Sequence, residues 1–466
     1  MARAKLMTEG SEWKLILLFT LPLMAGNFLQ QLYNAVDGIV VGNFAAAGEN
    51  ALAAVGTCAP ITMLFIAVAM GMSTGCSILI AQLHGARQYD EMRKAVATSL
   101  ILVIAVGLVL SVVGSVVAQW LLTHVLKVSE DILADATAYF AIYCFGLVFQ
   151  FAYNIVSFIL RSLGDSAATL YFLLVSSVTN IVLDLVFVIC LHWDVPGVAI
   201  ATVIAQALSA VVSVIYMFKR YPILRFAKGE FRFHRKQAAQ ALRLSIPTTL
   251  QQCIVSSGHI AIQRIVNDFG LTAAFTAGMR MENFIMIPIF SFNVGIATFT
   301  GQNVGAGRLD RVRRGFRATQ IMGLAVCAVV GVLAFTLASP LVGLFGVEGS
   351  TQAIAAEYLR FIAPCLLLFC FYIITNGVLQ GSGDVIFTAV NTVSNLAIRC
   401  AAAYLLAYLP PLEGRAAWVS LPISWTYALV LSLVRYKRGK WRKKAVATSS
   451  GPELPQEEVL EEEGLS

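Results

Sequence analysis

The chain has 466 residues, of which 58% are hydrophobic and only 13% charged, and its mean hydropathy is +0.77. Soluble domains carry roughly 25% charged residues, so the composition excludes an ordinary soluble fold and predicts an integral membrane protein. The formal net charge of +7 does not point to nucleic acid, because the basic residues are scattered over short loops with no aromatic-interleaved basic domain.

An apolar run of about 20 residues crosses the hydrocarbon core as a helix. Twelve such runs occur, near 14–42, 51–82, 95–122, 134–160, 167–191, 195–218, 241–268, 273–300, 316–345, 357–380, 386–408 and 414–436. Six fall in each half, which predicts an all-α integral membrane fold of twelve transmembrane helices in two pseudo-symmetric six-helix bundles, 1–218 and 241–440. An even number per half gives both bundles the same orientation, with the pseudo-symmetry axis along the membrane normal. The first run is broken at Pro22 and turns polar at Asn27–Gln31, so it reads as a first membrane helix and not as a removed signal peptide. The basic stretch 219–240, with interleaved aromatics, suits a cytoplasmic linker with a short interfacial helix on anionic headgroups. From 441 to 466 the chain becomes acidic and proline-containing, the composition of a disordered tail. The side that holds both termini carries 27 of the 33 Lys and Arg residues. By the positive-inside rule both termini are cytoplasmic in a multi-pass protein of the plasma membrane. The nine Cys stand singly in apolar runs with no CxxC, which predicts neither a disulfide nor a metal site.

The halves are copies. AQLHGARQYDEMRKA at 81–95 returns as GQNVGAGRLDRVRRG at 301–315, keeping Gln82, Gly85, Ala86, Asp90 and Arg93 as Gln302, Gly305, Ala306, Asp310 and Arg313. Gly164-Asp165 returns as Gly383-Asp384, Pro22 as Pro247, and Tyr139 and Tyr153 as Tyr358 and Tyr372. Tandem apolar halves are the organisation of secondary transporters, whose substrate path lies between them.

Ionisable residues inside membrane segments are costly and by default mark a functional path. Asp37 shares a helical face with Gln30, Tyr33 and Asn34 by three- and four-residue spacing. A carboxyl is expensive to ionise in such surroundings, which makes Asp37 a candidate carrier of a coupling proton, the alternative being a polar packing cluster. On the fifth run Ser177, Asn180 and Asp184 share a face. Asp184 would neighbour Asp37 if the first and fifth helices pack, two close carboxyls sharing one proton; the alternative is a hydrated position near the outer boundary. In the second half Gln252, Ser256, His259 and Gln263 line one face, and Arg280, Glu282 and Asn283 interrupt the next run. Glu282 is expected to pair with Arg264 or face the cavity, and Arg399 to neutralise Glu282 or repel cations. By the repeat offsets Asp184 falls on Ala403, Glu282 on Thr62, and Asp37 on Ile262 or Ser257. No intramembrane carboxylate has an acidic twin, which predicts coupling chemistry confined to the first half.

Gly71–Gly75 contains GMSTG, the spacing of a hydrolase nucleophile elbow, but it lies inside an apolar helix and reads as small-xxx-small helix packing. No Walker sequence, HExxH or dinucleotide fingerprint occurs, and the chain is not expected to be an enzyme.

LPxxxGNxxQQLYNxVDxxxVG at 21–42, ALAAVG at 51–56, AQxxGA at 81–86, RSLGD with NIVLD at 161–184, GQNxGAG at 301–307 and LQGSGD at 379–384 resemble multidrug and toxic compound extrusion (MATE) transporters over almost the whole chain. The resemblance implies two bundles around a central cavity that export small cationic amphipathic compounds in exchange for H⁺ or Na⁺, with no other cofactor. Asp37 falls where family members have their first-helix aspartate, and Asn180 with Asp184 where the DinF-like branch has its fifth-helix pair. The tenth run carries Tyr372, Asn376 and Gln380 where the NorM-like branch has an acid, a departure that favours a DinF-like, proton-coupled reading. The expected coupling set is Asp37, Asp184, Asn180, Asn34 and Tyr33. The expected cavity set is Gln30, Gln252, His259, Glu282, Arg280, Tyr372 and Asn376. The partners are small organic cations and membrane lipid, not nucleic acid, around a monomer. A flippase for lipid or lipid-linked precursors on the same general fold is the alternative, with Arg264, Arg280 and Arg399 as phosphate-binding groups. Protonation of Asp37 is expected to rearrange the polar network and bend the first helix at Pro22 and Gly26.

Overall fold

The computed structural model describes residues 6–44, 49–191, 193–227, 229–409 and 412–447, the side chains of 33–44, 49–52, 194 and 259–261 excepted. Within these residues the chain is helical: α1 (Glu12–Phe44), α2 (Glu49–Gly85), α3 (Tyr89–Trp120), α4 (Glu130–Ser162), α5 (Ala167–Leu185), α6 (Asp194–Arg220), α7 (Arg235–Asp268), α8 (Thr272–Gly305), α9 (Leu309–Thr336), a short α10 (Ala338–Gly343), α11 (Gly349–Gly381), α12 (Val385–Ala407) and α13 (Ala416–Lys437). Among the described residues eleven helices are long and apolar enough to cross a membrane. The remaining predicted span, α7, has the length, at 34 residues, but not the apolarity. Its Ser245, Thr248 and Gln251 are buried while Ile246, Leu250 and Ile254 are exposed, so the polar face is turned inward, where protein groups can satisfy it.

The two halves are interlocked. The first helix of each half packs on the fifth of its own half and the second of the other: α1 on α5 and α8, α7 on α12 and α2. Ile16, Phe19 and Leu23 of α1 belong to the core of the second half, and Ala241 and Leu244 of α7 to that of the first. Lipid tails are as apolar as these side chains, so association depends on close packing and hydrogen bonds. At the α2–α7 crossing a Cβ added to Gly71 would lie 2.4 Å from Thr249 Cα, and one on Gly75 2.3 Å from Ser245 Cα. The small-xxx-small reading of GMSTG is thus what the structure contains. Ser245 Oγ donates to the Met72 carbonyl at 2.9 Å and Thr248 Oγ1 to the Gly71 carbonyl at 2.7 Å.

The repeated motifs build one end of the molecule, called here the basic end. Gly85 and Gly305 cross reciprocally: an added Cβ would lie 1.9 Å from the Gln302 carbonyl oxygen in one case and 2.0 Å from that of Gln82 in the other. Gly164 and Gly383 take positive φ angles of 86° and 92°, which glycine adopts without strain, and the aspartate that follows ties a turn to the sixth helix region of its half. Asp165 accepts from Tyr216 Oη at 3.0 Å, Tyr221 Oη at 2.6 Å and the Ala168 N–H at 3.1 Å. Asp384 holds Arg435 through two bonds of 2.7 and 3.0 Å.

The linker is shorter than its sequence suggests, since α6 runs to Arg220 and α7 begins at Arg235. Residues 441–447, grouped with the acidic tail by composition, are folded. Lys440–Lys443 form a 3₁₀ turn, buried Trp441 stacks on Tyr436 at 5.6 Å, and Val446 bonds to Gln82. A single large aromatic that buries itself outweighs the polar composition around it. Residues 448–466 lie outside the described residues.

Candidate coupling and substrate site

Asn180 and Asp184 stand one turn apart on α5, each only 1% exposed, so Asp184 is enclosed and not hydrated at the outer boundary. Regular helix ends one residue beyond it. Val186–Cys190 forms a π turn in which the Leu191 N–H donates to Val186 O at 3.0 Å, a wide turn that recurs at functional sites. Asn180 Nδ2 donates to Thr202 Oγ1 of α6 at 3.4 Å, and that hydroxyl donates to Val198 O at 3.0 Å. The expected packing of the first helix on the fifth is present. Tyr33, Asn34 and Asp37 lie on α1, but their side chains are outside the described residues. Thr202 was not anticipated; its spacing of four from Gln206, which bonds Gln150 at 3.4 Å, was the available signal. Asn180, Asp184 and Thr202 offer hard oxygen donors, suited to a proton-carrying carboxyl or to a small monovalent cation. Among the described residues no group of three His, Cys, Asp or Glu could hold a metal ion.

The second half is arranged differently. Tyr358 Oη donates to the Glu282 carboxylate, and Arg399 of α12 is close enough to act electrostatically on both. The expected Glu282–Arg264 pair does not form. Among the described residues the ion-paired arginines of this half are Arg311, Arg314, Arg415 and Arg435, and Arg264 and Arg280 are exposed. The reason lies one turn before Glu282. Gly278, with no side chain, lets the Tyr358 ring come within 2.4 Å of where a Cβ would stand, so the phenol reaches the carboxylate first. The recurrence of Tyr139 as Tyr358 was the only hint of this role in the sequence.

The expected cavity residues differ in burial. Tyr372 and Asn376 are buried in α11 at 1% and 5% exposure, and Gln252 and Glu282 are half-buried while Gln30 and Arg280 are exposed. The His259 side chain is outside the described residues. Tyr372 Oη meets Thr392 Oγ1 at 3.5 Å, and the Gln251 amide donates to the same hydroxyl at 3.1 Å, a buried group joining α7, α11 and α12. The amide oxygens of Gln251, Asn376 and Asn395 are among the buried acceptors of the second half that have no donor among the described residues.

The MatE family model matches residues 22–186 and 247–405, one stretch in each copy. The chain is 28% identical over 449 residues to the probable multidrug resistance protein YoeA of Bacillus subtilis, covering 94% of this chain and 96% of that one. It is 24% identical to the probable multidrug resistance protein NorM of Thermotoga maritima, over 93% of this chain and 94% of the other. The crystal structure of a MATE protein in complex with MaL6 superposes with a TM-score of 0.88 at 25% identity, covering 95% of this chain and all of that one, 100%. A Pyrococcus furiosus transporter of the MOP superfamily, described as having a binding pocket of reversed polarity that suggests a different function, superposes at 0.87 and 25% identity, over 96% and 99% of the two chains.

Proposed function

The chain belongs to the MatE family of transporters, and from that premise we propose that it is a multidrug efflux antiporter of the DinF-like branch, exporting small organic cations in exchange for protons. The observation that carries this reading is the enclosed carboxyl of Asp184, one turn beyond Asn180, whose amide bonds Thr202, on a helix packed against the one that bears Asp37. Burial makes a carboxylate costly to keep charged, and a proton or a bound cation each relieves that cost. Transport requires that the two ligands prefer opposite states of the site. The two bundles rock about their crossing loops to expose it alternately.

The positive-inside rule assigns the basic end to the cytoplasm, and on that reading the close crossing of Gly85 and Gly305 closes the cytoplasmic side. The amide oxygens of Gln251, Asn376 and Asn395, without a donor among the described residues, would accept from the N–H groups of an organic cation. The flippase alternative draws less support, because Arg399 shares its surroundings with Glu282, whose charge opposes a phosphate there. The test is export of a fluorescent organic cation from proteoliposomes under an imposed proton gradient. Asp184→Asn and Asp37→Asn should each reduce it by at least tenfold with the amount of folded protein unchanged. Full proton-driven export by Asp37→Asn would refute the mechanism. A Na⁺ gradient that drives export where the proton gradient does not would reassign the ion.

A further inference from the structure

Gln82 and Gln302 are each wholly buried at the point where the repeated loops cross, and each reaches into the opposite half. Gln82 Nε2 donates to the Gly381 carbonyl at the end of α11 at 3.2 Å, and Gln302 Nε2 donates to the Ser162 carbonyl at the end of α4 at 2.8 Å. Both acceptors are last-turn carbonyls, which a helix leaves without an internal partner. The other end of each side chain is occupied as well. Gln82 Oε1 accepts the Val446 and Ala447 N–H groups at 2.8 and 3.3 Å, and Gln302 Oε1 accepts the Met7 N–H at 2.7 Å. Met7 itself is fastened to the second half, its carbonyl accepting from Asn303 at 3.2 Å and Arg311 at 3.3 Å. One residue type, repeated by duplication, thus makes the same bond in both directions across the interface.

We propose that Gln82 and Gln302 are paired latches that hold the cytoplasmic end shut and release together when the bundles rock. The proposal rests on the alternating-access reading, under which this interface must separate once per cycle. Separation strips both amides and both helix-end carbonyls of their partners at the same time. Each latch therefore biases the equilibrium towards the closed state, and neither touches the transported compound.

The test is thiol accessibility in the full chain. Ala81, 3% exposed and facing Gly301 across the halves, is replaced by Cys and reacted with a membrane-impermeant maleimide from the cytoplasmic side. Gln302→Met keeps the side-chain length and removes the bonds. It should speed labelling of the reporter by about tenfold, equivalent to ~1.4 kcal/mol, while buried Cys370 labels at its original rate. Gln82→Met should do the same through the opposite latch. The apparent KM for a cation presented on the cytoplasmic side should fall by a similar factor, because the receptive state is more populated. An unchanged reporter rate in both variants overturns the proposal, as does a parallel rise at Cys370, which would mark general loosening. Failure of the antiport reading would show separately, as wild-type protein that exports no cation under a proton gradient while the labelling result stands.

Discussion

Replacing Gly75 by Ala puts one methyl group into the closest approach of α2 to α7, a contact between the halves. The new Cβ would stand 2.3 Å from Ser245 Cα, 2.4 Å from its nitrogen and 2.5 Å from its Oγ, against about 3.5–4.0 Å for ordinary carbon contacts. Two of these atoms are backbone and cannot rotate away, so α2 and α7 must part by about 1 Å or more. Overpacking of this kind costs about 1–3 kcal/mol. Parting also stretches the Ser245–Met72 and Thr248–Gly71 bonds, and interhelical bonds in membranes contribute roughly 0.6 kcal/mol each. The expected loss is about 2–4 kcal/mol, read as a lowered unfolding midpoint in mixed micelles followed by tryptophan fluorescence. Gly56→Ala is the control: an added Cβ there meets nothing within 4 Å, and helix propensity predicts no loss or a gain of about 0.5–1 kcal/mol. If Gly75→Ala unfolds within about 0.5 kcal/mol of wild type, the range of an unremarkable surface change, the backbone crossing is not a close contact and the interlocked architecture drawn from it is wrong.

Single contacts elsewhere carry further expectations. Arg435→Ala should cost about 3–5 kcal/mol, because it strands the Asp384 carboxylate, itself 3% exposed, without its partner; Arg87→Ala, which breaks an ion pair 60% exposed on both sides, should change unfolding by less than about 1 kcal/mol. Burial, and then the hydrogen bond to Asp165, push the Tyr221 phenol up. The folded state therefore keeps a proton that the unfolded chain loses above about pH 10, and stability from this group is present below that pH and declines as pH rises through it. Tyr221→Phe should flatten the alkaline arm of a stability-against-pH curve; an unchanged arm would rule this source out. Gly278→Val should push Tyr358 off Glu282, and with an intact fold it should alter the Tyr358 ultraviolet difference spectrum as Tyr358→Phe does.

Much of the scaffold was legible in the chain because its causes are local or repeated. Eleven of the twelve spans follow from length and apolarity alone, and α7 was found by the same reading although its polar face dilutes the signal. The face shared by Asn180 and Asp184 followed from a spacing of four, while the burial of both side chains came from the packing. The site was less legible wherever its partners come from distant helices. Nothing near Glu282 in sequence announced Tyr358, because the deciding residue was Gly278, whose importance is the absence of a side chain. Tyr372 and Asn376 were grouped with Arg280 and Gln30 as cavity residues, and the chain gave no sign that the first two are buried and the others exposed.

By itself the sequence determined a membrane protein of two duplicated helical halves, the side on which its charges gather, and the residues too polar to be accidental in an apolar helix. Those are properties of composition and period, carried by neighbours along the chain. The tertiary structure decided that α1 and α7 each complete the other half's core, that Gln82 and Gln302 cross to opposite helix ends, and that Glu282 is met by a phenol and not by a guanidinium. Each depends on which surfaces come within bonding distance across some 70 to 300 residues, and helical periodicity sets the face a side chain occupies without choosing the helix that will meet it.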